Sequence, residues 1–231
     1  MHHTLKKYLY ASTFAILIIL MSSCKMSGRH ISITEKKYET NSAIIEIQIP
    51  EFQNIGNDEL ENKLNKDYNS YINSLTNEFI KKCPDAAPEK YSLRITQNIS
   101  CDTDRFVSIN TDIYEFTEGV HGTNSRFSKT IDILKGEEIE LPDFFSDEEY
   151  EQRINRIIEE IISENPDDYN DLWEKPMLSS IHNKNFYLSR EGIVIYYPPY
   201  ELSYYARGFV EFCIPYKELS GYLKQDYNFL L

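Results

Sequence analysis

The order of two hydrophobic periodicities constrains the fold of this chain more than any other feature of its sequence. Residues 45–49 carry isoleucine at every second position, as in a strand with one buried face. Apolar residues then recur mostly at spacings of three and four from Leu60 to Ile80, as in an amphipathic helix. Strand-type segments resume beyond Pro84, and strands and helices follow without strict alternation. This order predicts an α+β fold with mostly antiparallel sheet.

The same patterns place two main helices. The first is expected to begin at Asn57, whose side chain suits an N-cap, and to end at Pro84, which cannot continue a helix. The second is expected to begin at Ser146, which would form a capping box with Glu149, and to end at Asn165. The predicted buried stripes comprise Leu60, Leu64, Tyr68, Tyr71, Ile72, Leu75, Phe79 and Ile80 in the first helix and Tyr150, Ile154, Ile157, Ile158, Ile161 and Ile162 in the second.

A boundary near Pro142 predicts two small subdomains, each packed by one main helix. The N-terminal α+β domain would cover residues 31–141, and the C-terminal α+β domain would cover residues 142–231. The predicted strands are 31–38, 43–49, 91–101, 106–116, 126–134, a short strand ending at Leu141, 185–189, 192–197 and 208–215.

The N-terminal residues predict a bacterial lipoprotein signal. Two lysines precede an apolar run over residues 8–21, which is shorter than the roughly 20 residues that span a membrane. Met-Ser-Ser-Cys follows and is similar to a lipobox, in which the cysteine is lipidated and becomes the new N-terminus. We therefore expect a signal peptide over residues 1–23, lipidation of Cys24 that anchors the protein to a membrane, and a polar tether over residues 24–30. An ordinary cleaved signal and an uncleaved anchor are the alternatives.

The charge balance restricts the class of partner. The chain has 37 acidic and 24 basic residues, a net charge of −13. Cleavage before Cys24 would remove two lysines and no acid, which makes the net charge −15. Such a balance argues against nucleic acid, whose phosphates bind clustered Lys and Arg, and favours a basic partner. The 18 tyrosines are numerous beside 8 glycines; they suit either recognition of sugars and proteins or a tyrosine-rich core.

The sequence contains no motif for catalysis, metal binding or cofactor binding. Neither HExxH, CxxC, G-x-S-x-G, a phosphate loop nor a dinucleotide fingerprint is found in it. Its histidines beyond the signal are isolated, and its clustered acids suit solvated faces. Cys83 and Cys101 should lie too far apart for a disulfide, and Cys213 should be a buried apolar residue. We therefore expect no enzymatic activity, no metal and no cofactor.

Residues 116–124, here called the glycine loop, join two predicted strands. Gly119 and Gly122 permit positive φ or a close approach of another part of the chain. Glu118 is a polar group of the loop, and His121 can exchange hydrogen bonds or titrate near neutral pH. The loop either presents His121 to a ligand or is a structural turn whose histidine bonds to a backbone carbonyl.

Residues 196–208, here called the tyrosine loop, hold five tyrosines within ten residues. Two prolines, the second of which is Pro199, end the preceding strand and stiffen the loop. Rigid aromatic side chains lose little entropy on binding, and Glu201 adds polar reach. Some of the tyrosines could instead pack inward. We expect Tyr197, Tyr200 or Tyr204 to be exposed.

Several stretches of the chain resemble, in order, the extracellular tandem of uncharacterised domains shared by the anti-sigma factor RsiV and the peptidoglycan deacetylase PdaC. The glycine loop is similar to the family's aromatic-Thr-Gly-Gly-Ala-His run, with Glu118 in place of the usual glycine. The other similar stretches lie within residues 131–145, 186–202 and 205–219. The resemblance implies a PdaC-like N-terminal domain followed by an RsiV-like C-terminal domain.

Because the family's partner for RsiV is lysozyme, the resemblance implies an envelope-facing binding module. We expect neither sigma-factor inhibition nor deacetylation to carry over, since we see no sigma-binding segment and no deacetylase domain. The predicted function is that of a lipid-anchored, extracytoplasmic, non-catalytic protein that binds lysozyme or another cationic protein through both loops. The predicted binding residues are Glu118, Gly119, His121, Gly122, Tyr197, Pro199, Tyr200, Glu201 and Tyr204. The alternatives are a peptidoglycan- or glycan-binding module and a hydrolase that uses His121 with a carboxylate.

Overall fold

The structure is a computed structural model that describes residues 30–85, 89–179 and 182–230. Within these ranges the predicted α+β class is confirmed, with two α-helices and two sheets in which only one neighbouring strand pair is parallel. The helices are α1 (Asp58–Lys82) and α2 (Glu149–Glu164). The strands are β1 (His30–Glu39), β2 (Ala43–Gln53), β3 (Tyr91–Asp102), β4 (Phe106–Phe116), β5 (Thr123–Asp132), β6 (Glu137–Ile139), β7 (Phe186–Leu188), β8 (Gly192–Tyr197) and β9 (Val210–Pro215).

The first sheet has the order β1-β2-β3-β4-β5-β6 and packs against α1. As predicted, Asn57 caps the helix, and its Oδ1 accepts a hydrogen bond from the Leu60 amide at 3.0 Å. The helix ends at Lys82, and its C-cap, Cys83, directly precedes Pro84. Helix α1 returns the chain to the end of the sheet at which β2 began, so β3 runs parallel to β2. This parallel pair was not predicted from the sequence.

Two residues of the predicted stripe of α1 lie outside the core. Tyr71 is 44% exposed and Ile80 is 50% exposed, whereas Thr76 is buried. Tyr71 and Ile80 are nine residues apart, which places them on opposite flanks of the helix. The stripe predicted from spacing was therefore wider than the face that the sheet covers.

The second sheet has the order β7-β8-β9 and packs against α2. Four residues of α2 are buried against it: Tyr150, Ile154, Ile157 and Ile158. The predicted capping box is wrong, because α2 begins at Glu149 and its N-cap makes no side-chain hydrogen bond. Ser146 is held elsewhere: its amide donates to the Tyr222 carbonyl at 3.0 Å and its hydroxyl donates to the Leu223 carbonyl at 3.4 Å.

The two sheets are in direct contact. Strand β7 lies against β3, β4 and β5, and the Leu188 amide donates to the Ser108 hydroxyl at 3.1 Å. Phe106, from a strand of the first sheet, is buried in the core of the second. This contact determines which loops meet at the molecular surface.

The predicted signal peptide and Cys24 fall within residues 1–29, outside the described residues, as does all of the predicted tether except His30. In the part of the chain that the structure describes, no helix is long and apolar enough to cross a membrane. Cys83 and Cys213 are free thiols and half-buried, and Cys101 is also half-buried, so Cys213 is less buried than predicted.

Candidate functional site

The glycine loop and the tyrosine loop lie side by side, although they belong to different sheets. The first joins β4 to β5, and the second joins β8 to β9. The His121 ring stacks on the Tyr205 ring, with 4.3 Å between the centroids and 13° between the planes. Asn124 Nδ2 also donates to the Tyr205 hydroxyl at 2.6 Å. The fold thus unites two segments that the sequence separates by about 80 residues.

The two glycines of the glycine loop are required for different reasons. Gly119 has a φ of +99°, which side-chain-bearing residues rarely adopt. Gly122 is buried, and a Cβ atom there would lie 2.5 Å from Cζ of Tyr114 and 2.7 Å from the carbonyl oxygen of Glu115. Gly122 therefore lets the loop lie directly against the Tyr114 ring.

His121 combines both roles that the sequence left open. Its Nδ1 lies 2.8 Å from the carbonyl oxygen of Gly122, and a carbonyl can only accept, so Nδ1 carries the proton. The residue is nevertheless exposed, and its ring forms part of the surface against Tyr205. The hydrogen bond therefore fixes the orientation of a ring that solvent can reach.

Glu118 is exposed and is anchored to the first subdomain. Its Oε1 accepts a hydrogen bond from the Tyr91 hydroxyl at 2.8 Å. This hydrogen bond is the main reason that the pKa of Tyr91 lies above its usual value. One oxygen of the carboxylate is thus used within the protein.

Tyr200 and Tyr204 are the exposed aromatic residues of the tyrosine loop. They are 58% and 52% exposed, as expected from the sequence. The centroid of the Tyr200 ring lies 5.5 Å from that of Tyr205, and Tyr205 carries the stacked His121. Tyr200 has a φ of +71°, a left-handed conformation that is uncommon and costly for a bulky residue. The loop therefore holds this ring outward against its backbone preference.

The prediction that Tyr197 is exposed was wrong. Its side chain is 1% exposed and packs against His182 at 4.8 Å and Phe212 at 6.0 Å between centroids. All six residues of β8 are buried, because both faces of this strand are covered. Tyr197 therefore cannot belong to a ligand surface, and burial raises the pKa of its hydroxyl. The neighbouring Pro199 is half-buried at the start of the exposed part of the loop.

Glu201 has a structural partner that the sequence analysis did not predict. Its Oε1 lies 2.6 Å from Nε2 of His182, whose side chain is 5% exposed. Nδ1 of His182 accepts the Ser179 amide at 3.2 Å and lies 3.0 Å from the Ser179 hydroxyl. Because Nδ1 accepts, the neutral ring donates from Nε2 to Glu201.

The order serine, imidazole, carboxylate can activate a serine nucleophile. In this protein the ring is almost fully buried and both of its nitrogens are used, so the cluster fastens the tyrosine loop to Ser179 and His182. Only the three-residue spacing of Ser179 and His182 could have indicated part of this cluster, since such local spacing is typical of turn hydrogen bonds. Glu201 lies 19 residues further on.

Two more contacts hold the tyrosine loop in place. Trp173 Nε1 donates to the carbonyl oxygen of Glu201 at 3.2 Å. Arg207 donates to Asp171 Oδ1 and to the Asp168 carbonyl oxygen, each at 2.7 Å. The exposed tyrosines are thus presented by a loop that is fixed on both sides.

Arg126 of β5 connects the two sheets close to this surface. Its guanidinium binds Asp112 on β4 and Glu211 on β9, and it lies 4.3 Å from the centroid of the Phe209 ring. Burial lowers the pKa of Arg126, but hydrogen bonds to the two carboxylates outweigh burial and raise it. The one positive and two negative charges leave this cluster with a net charge of −1.

The exposed rings of the two loops are suited to binding a ligand through aromatic contacts. Among the described residues, His121 contacts no carboxylate, and no group of three His, Cys, Asp or Glu side chains could hold a metal ion. We name the area formed by His121, Tyr200, Tyr204 and Tyr205 the aromatic surface. Of the other predicted binding residues, Glu118 and Pro199 belong to the two loops but not to this surface, and Gly119, Gly122 and Glu201 shape the loops.

In the comparison with known families, two segments of the chain match two different family models, and each segment contains one of the two loops. Residues 36–124 match the family model described as Deacetylase PdaC, and residues 142–217 match the Protein of unknown function (DUF3298). The glycine loop closes the first match, and the tyrosine loop lies within the second. These matches confirm the tandem that the sequence resemblance indicated, a PdaC-type region followed by a DUF3298-type region.

Solved structures of DUF3298 proteins share this fold. A DUF3298 family member from Bacteroides fragilis NCTC 9343 has a TM-score of 0.63 at 16% identity, over 85% of this chain and 94% of the other. A DUF3298 family protein from Pseudomonas aeruginosa PAO1 has a TM-score of 0.64 at 16% identity, over 87% of this chain and 95% of the other. The comparison with curated proteins returned no match.

Proposed function

We propose that this chain is a lipid-anchored envelope protein that binds an extracytoplasmic ligand, such as lysozyme or another cationic protein, through the aromatic surface. The observation that carries the proposal is the stacking of His121 on Tyr205 at 4.3 Å, which joins loops from both sheets and leaves Tyr200 and Tyr204 exposed. In this proposal the protein acts by binding and not by catalysis.

The conformation of Tyr200 supports a binding role. A left-handed backbone at a tyrosine persists only where the surroundings impose it, and such strain collects at functional positions. A ring held outward in advance loses little freedom on binding, which is one reason that tyrosine is common among residues that dominate interface energies.

The charge of the chain supports a basic partner. The net charge is −13, and it becomes −15 after the proposed cleavage before Cys24. Arg126, Asp112 and Glu211 together carry only one net negative charge next to the aromatic surface, so most of the attraction to a cation would come from the chain as a whole. Such long-range attraction acts mainly on the rate of encounter and weakens as salt is added.

The test is affinity for lysozyme in pull-down and titration at low and high salt. Tyr200→Ala and Tyr204→Ala should each weaken binding about thirtyfold, as expected for an aromatic residue worth about 2 kcal/mol, with little change in Tm. Tyr71→Ala is the matched control, because Tyr71 is similarly exposed but lies on α1. Unchanged affinity in both loop variants would rule out the aromatic surface as the binding site.

The proposed anchor has a separate test. Cys24→Ala should release the protein or leave it with its signal attached, and a fatty-acid analogue should label only the parent protein. Equal labelling of the Cys24→Ala variant would contradict lipidation at this residue.

A glycan-binding function is the second candidate, favoured by the exposed Tyr200 ring beside the Tyr205 ring at 5.5 Å. Sugars bind over aromatic faces, and this attraction does not depend on net charge. Retention on insoluble peptidoglycan that persists at high salt and is lost in Tyr200→Ala would favour a glycan over lysozyme. Turnover of a chromogenic ester that disappears in Ser179→Ala would contradict a role limited to binding.

A further inference from the structure

Strand β5 has one edge that is only partly paired. The Ile133 amide, directly after β5, donates to the Arg105 carbonyl at 2.7 Å. Because backbone groups alternate in direction along an antiparallel pair, the odd-numbered residues of β5 face β4 and the even-numbered ones face outward. The outward groups of Thr130 and Asp132 lie opposite the three-residue strand β6. Strand β6 therefore covers only the last part of this edge.

The rest of the edge offers its backbone groups to a further strand. Asn124, Arg126 and Ser128 have no strand beside them on this side, and their outward N–H and C=O groups have no hydrogen-bond partner among the described residues. The three residues span four steps of the strand, about 13 Å. A row of free donors and acceptors with this spacing is the usual template for the addition of another extended backbone.

The two edges of the first sheet differ in how they are guarded. On β1, the other edge, four of the five residues 35–39 are charged. Charged side chains of this kind commonly keep an edge strand from pairing with another chain. On β5, residues 123–128 carry one charge, that of Arg126, and its guanidinium is already bound by Asp112 and Glu211. The edge of β5 is therefore open to a partner strand, whereas that of β1 is protected.

A groove of about 600 Å³ lies between this edge and α1. Its lining residues are Asp67, Tyr68, Ser70, Tyr71, Phe127 and Lys129. The Tyr71 ring meets the Phe127 ring edge-on with 4.6 Å between centroids; Tyr71 is 44% exposed and Phe127 is half-buried. A strand added to the edge would place the residue opposite Phe127 on the same face of the sheet, against the exposed part of Tyr71. The groove is therefore suited to an apolar side chain of that residue.

The charges at one end of the groove favour a cation. Asp67 lies one turn before Tyr71 on α1, and Lys129 lies two residues after Phe127 on β5. Because α1 runs antiparallel to β5, both lie at the same end of the groove. Lys129 binds Glu138 at 2.7 Å, whereas Asp67 is exposed and forms no ion pair with any described residue. These three side chains carry a net charge of −1, which would attract a lysine and repel an acidic residue.

We propose that the edge of β5 binds an extended segment of a partner protein, which pairs antiparallel with residues 124–128 in line with β6. The central residue of the segment is aromatic or aliphatic and fills the groove at Tyr71, and a lysine two residues before it reaches Asp67. Residues two apart on a strand are about 7 Å apart and lie on the same face, which is close to the rise of about 6 Å between Asp67 and Tyr71 along the helix.

A second copy of this chain is a poorer occupant of the edge. Symmetric antiparallel pairing of two β5 edges would place Arg126 opposite Arg126, between chains that each have a net charge of −13. A partner segment with one lysine avoids this repulsion. The site shares no residue with the aromatic surface, so it does not depend on the proposed function.

The test uses a fluorescein-labelled heptapeptide, Thr-Lys-Thr-Phe-Thr-Thr-Thr, titrated with the purified protein and followed by fluorescence anisotropy. With its phenylalanine opposite Phe127, its third and fifth residues turn their N–H groups to β5. N-methylation of these two residues should weaken binding at least about tenfold, because two backbone hydrogen bonds are lost. N-methylation of the fourth and sixth residues, whose N–H groups face solvent, should leave binding within about twofold.

Two variants locate the site on the protein. Tyr71→Ala should weaken binding of the peptide at least about tenfold, while Tyr38→Ala, on the edge strand β1 and similarly exposed, should not. Asp67→Asn should weaken binding of this peptide but not of a peptide in which threonine replaces the lysine. Asp67 and Tyr71 are exposed, so their variants should fold, which circular dichroism can verify.

The proposal fails if the peptide does not bind saturably, or if the two N-methylated peptides bind equally well. Equal loss of binding in Tyr38→Ala and Tyr71→Ala would also overturn it. A dimer of the parent protein that Tyr71→Ala dissociates, measured by sedimentation, would assign the edge to a second copy instead. Binding of the peptide by Tyr200→Ala, and binding of lysozyme by Tyr71→Ala, separate a failure here from a failure of the proposed function.

Discussion

Replacing Tyr197 by phenylalanine should stabilise the protein. Tyr197 is 1% exposed, and its hydroxyl is buried without a hydrogen-bond partner among the described residues. The preceding residue, Tyr196, is equally buried, but its hydroxyl lies 3.3 Å from the donor Ser128 Oγ. The two adjacent tyrosines thus differ mainly in whether the buried hydroxyl is partnered.

The magnitude follows from the loss of hydration. A buried hydroxyl without a partner costs about 1–3 kcal/mol, and phenylalanine keeps the ring contacts of Tyr197 with His182 and Phe212. A gain of about 1 kcal/mol would raise Tm by about 2–4 °C in a chain of this size. Tyr196→Phe should instead give no gain, or a loss of up to about 1 kcal/mol, because it removes a hydrogen bond.

The assay is urea and thermal unfolding of the two variants beside the parent protein. If Tyr197→Phe has a lower Tm than the parent and Tyr196→Phe has an unchanged Tm, the hydroxyl of Tyr197 is not the unpartnered one. Tyr197→Ala provides the opposite check: removal of the buried ring should cost about 3–5 kcal/mol. That loss would confirm in solution that Tyr197 belongs to the core.

Three further predictions concern the folded state. Ile158→Asp should destabilise the protein by several kcal/mol, measured by urea unfolding, because it places an unpaired charge at a fully buried position of α2. Gly122→Ala should cost about 1–3 kcal/mol and lower Tm, since the new Cβ would overlap the Tyr114 ring and a backbone oxygen. Burial raises the pKa of Tyr150 to about 12 from 10.0, so the unfolded chain loses this proton first. The contribution of Tyr150 to the free energy of unfolding should therefore be full below pH 10 and decrease as the pH rises towards 12. In the Tyr150→Phe variant, the loss of stability between pH 10 and pH 12 should be smaller, which unfolding measured at a series of pH values can check.

The local elements were predictable because they follow single periodicities. The predicted ends of β3, β4 and β8 lie within one residue of the observed ends, and the N-cap at Asn57 is as expected. In these segments the alternation of residues, or one capping side chain, decides the structure locally. The glycine loop was also predictable from the local sequence, because the positive φ of Gly119 is a property of the turn itself and needs no distant contact.

The arrangement of the site depends on tertiary contacts that no local pattern records. Alternation could not show that Tyr197 is buried, because β8 is covered on both faces and loses its inside–outside alternation. The hydrogen bond between His182 and Glu201 joins residues 19 positions apart, and the stacking of His121 on Tyr205 joins residues of different sheets. The first two arise within the second subdomain, and the stacking of His121 on Tyr205 exists only once the two sheets have packed together.

Phe106 has a consequence for how the chain can be divided. It is a residue of β4, yet its ring is buried among Phe144 and Tyr227 of the other core, and Ile139 and Leu141 join the same cluster. A fragment cut at residue 141 would expose these side chains to water and would tend to aggregate. The PdaC-type half of this chain is therefore not a portable module that can be grafted onto another protein by its sequence limits alone. Calorimetry should accordingly record one cooperative transition for the two halves and not two separate ones.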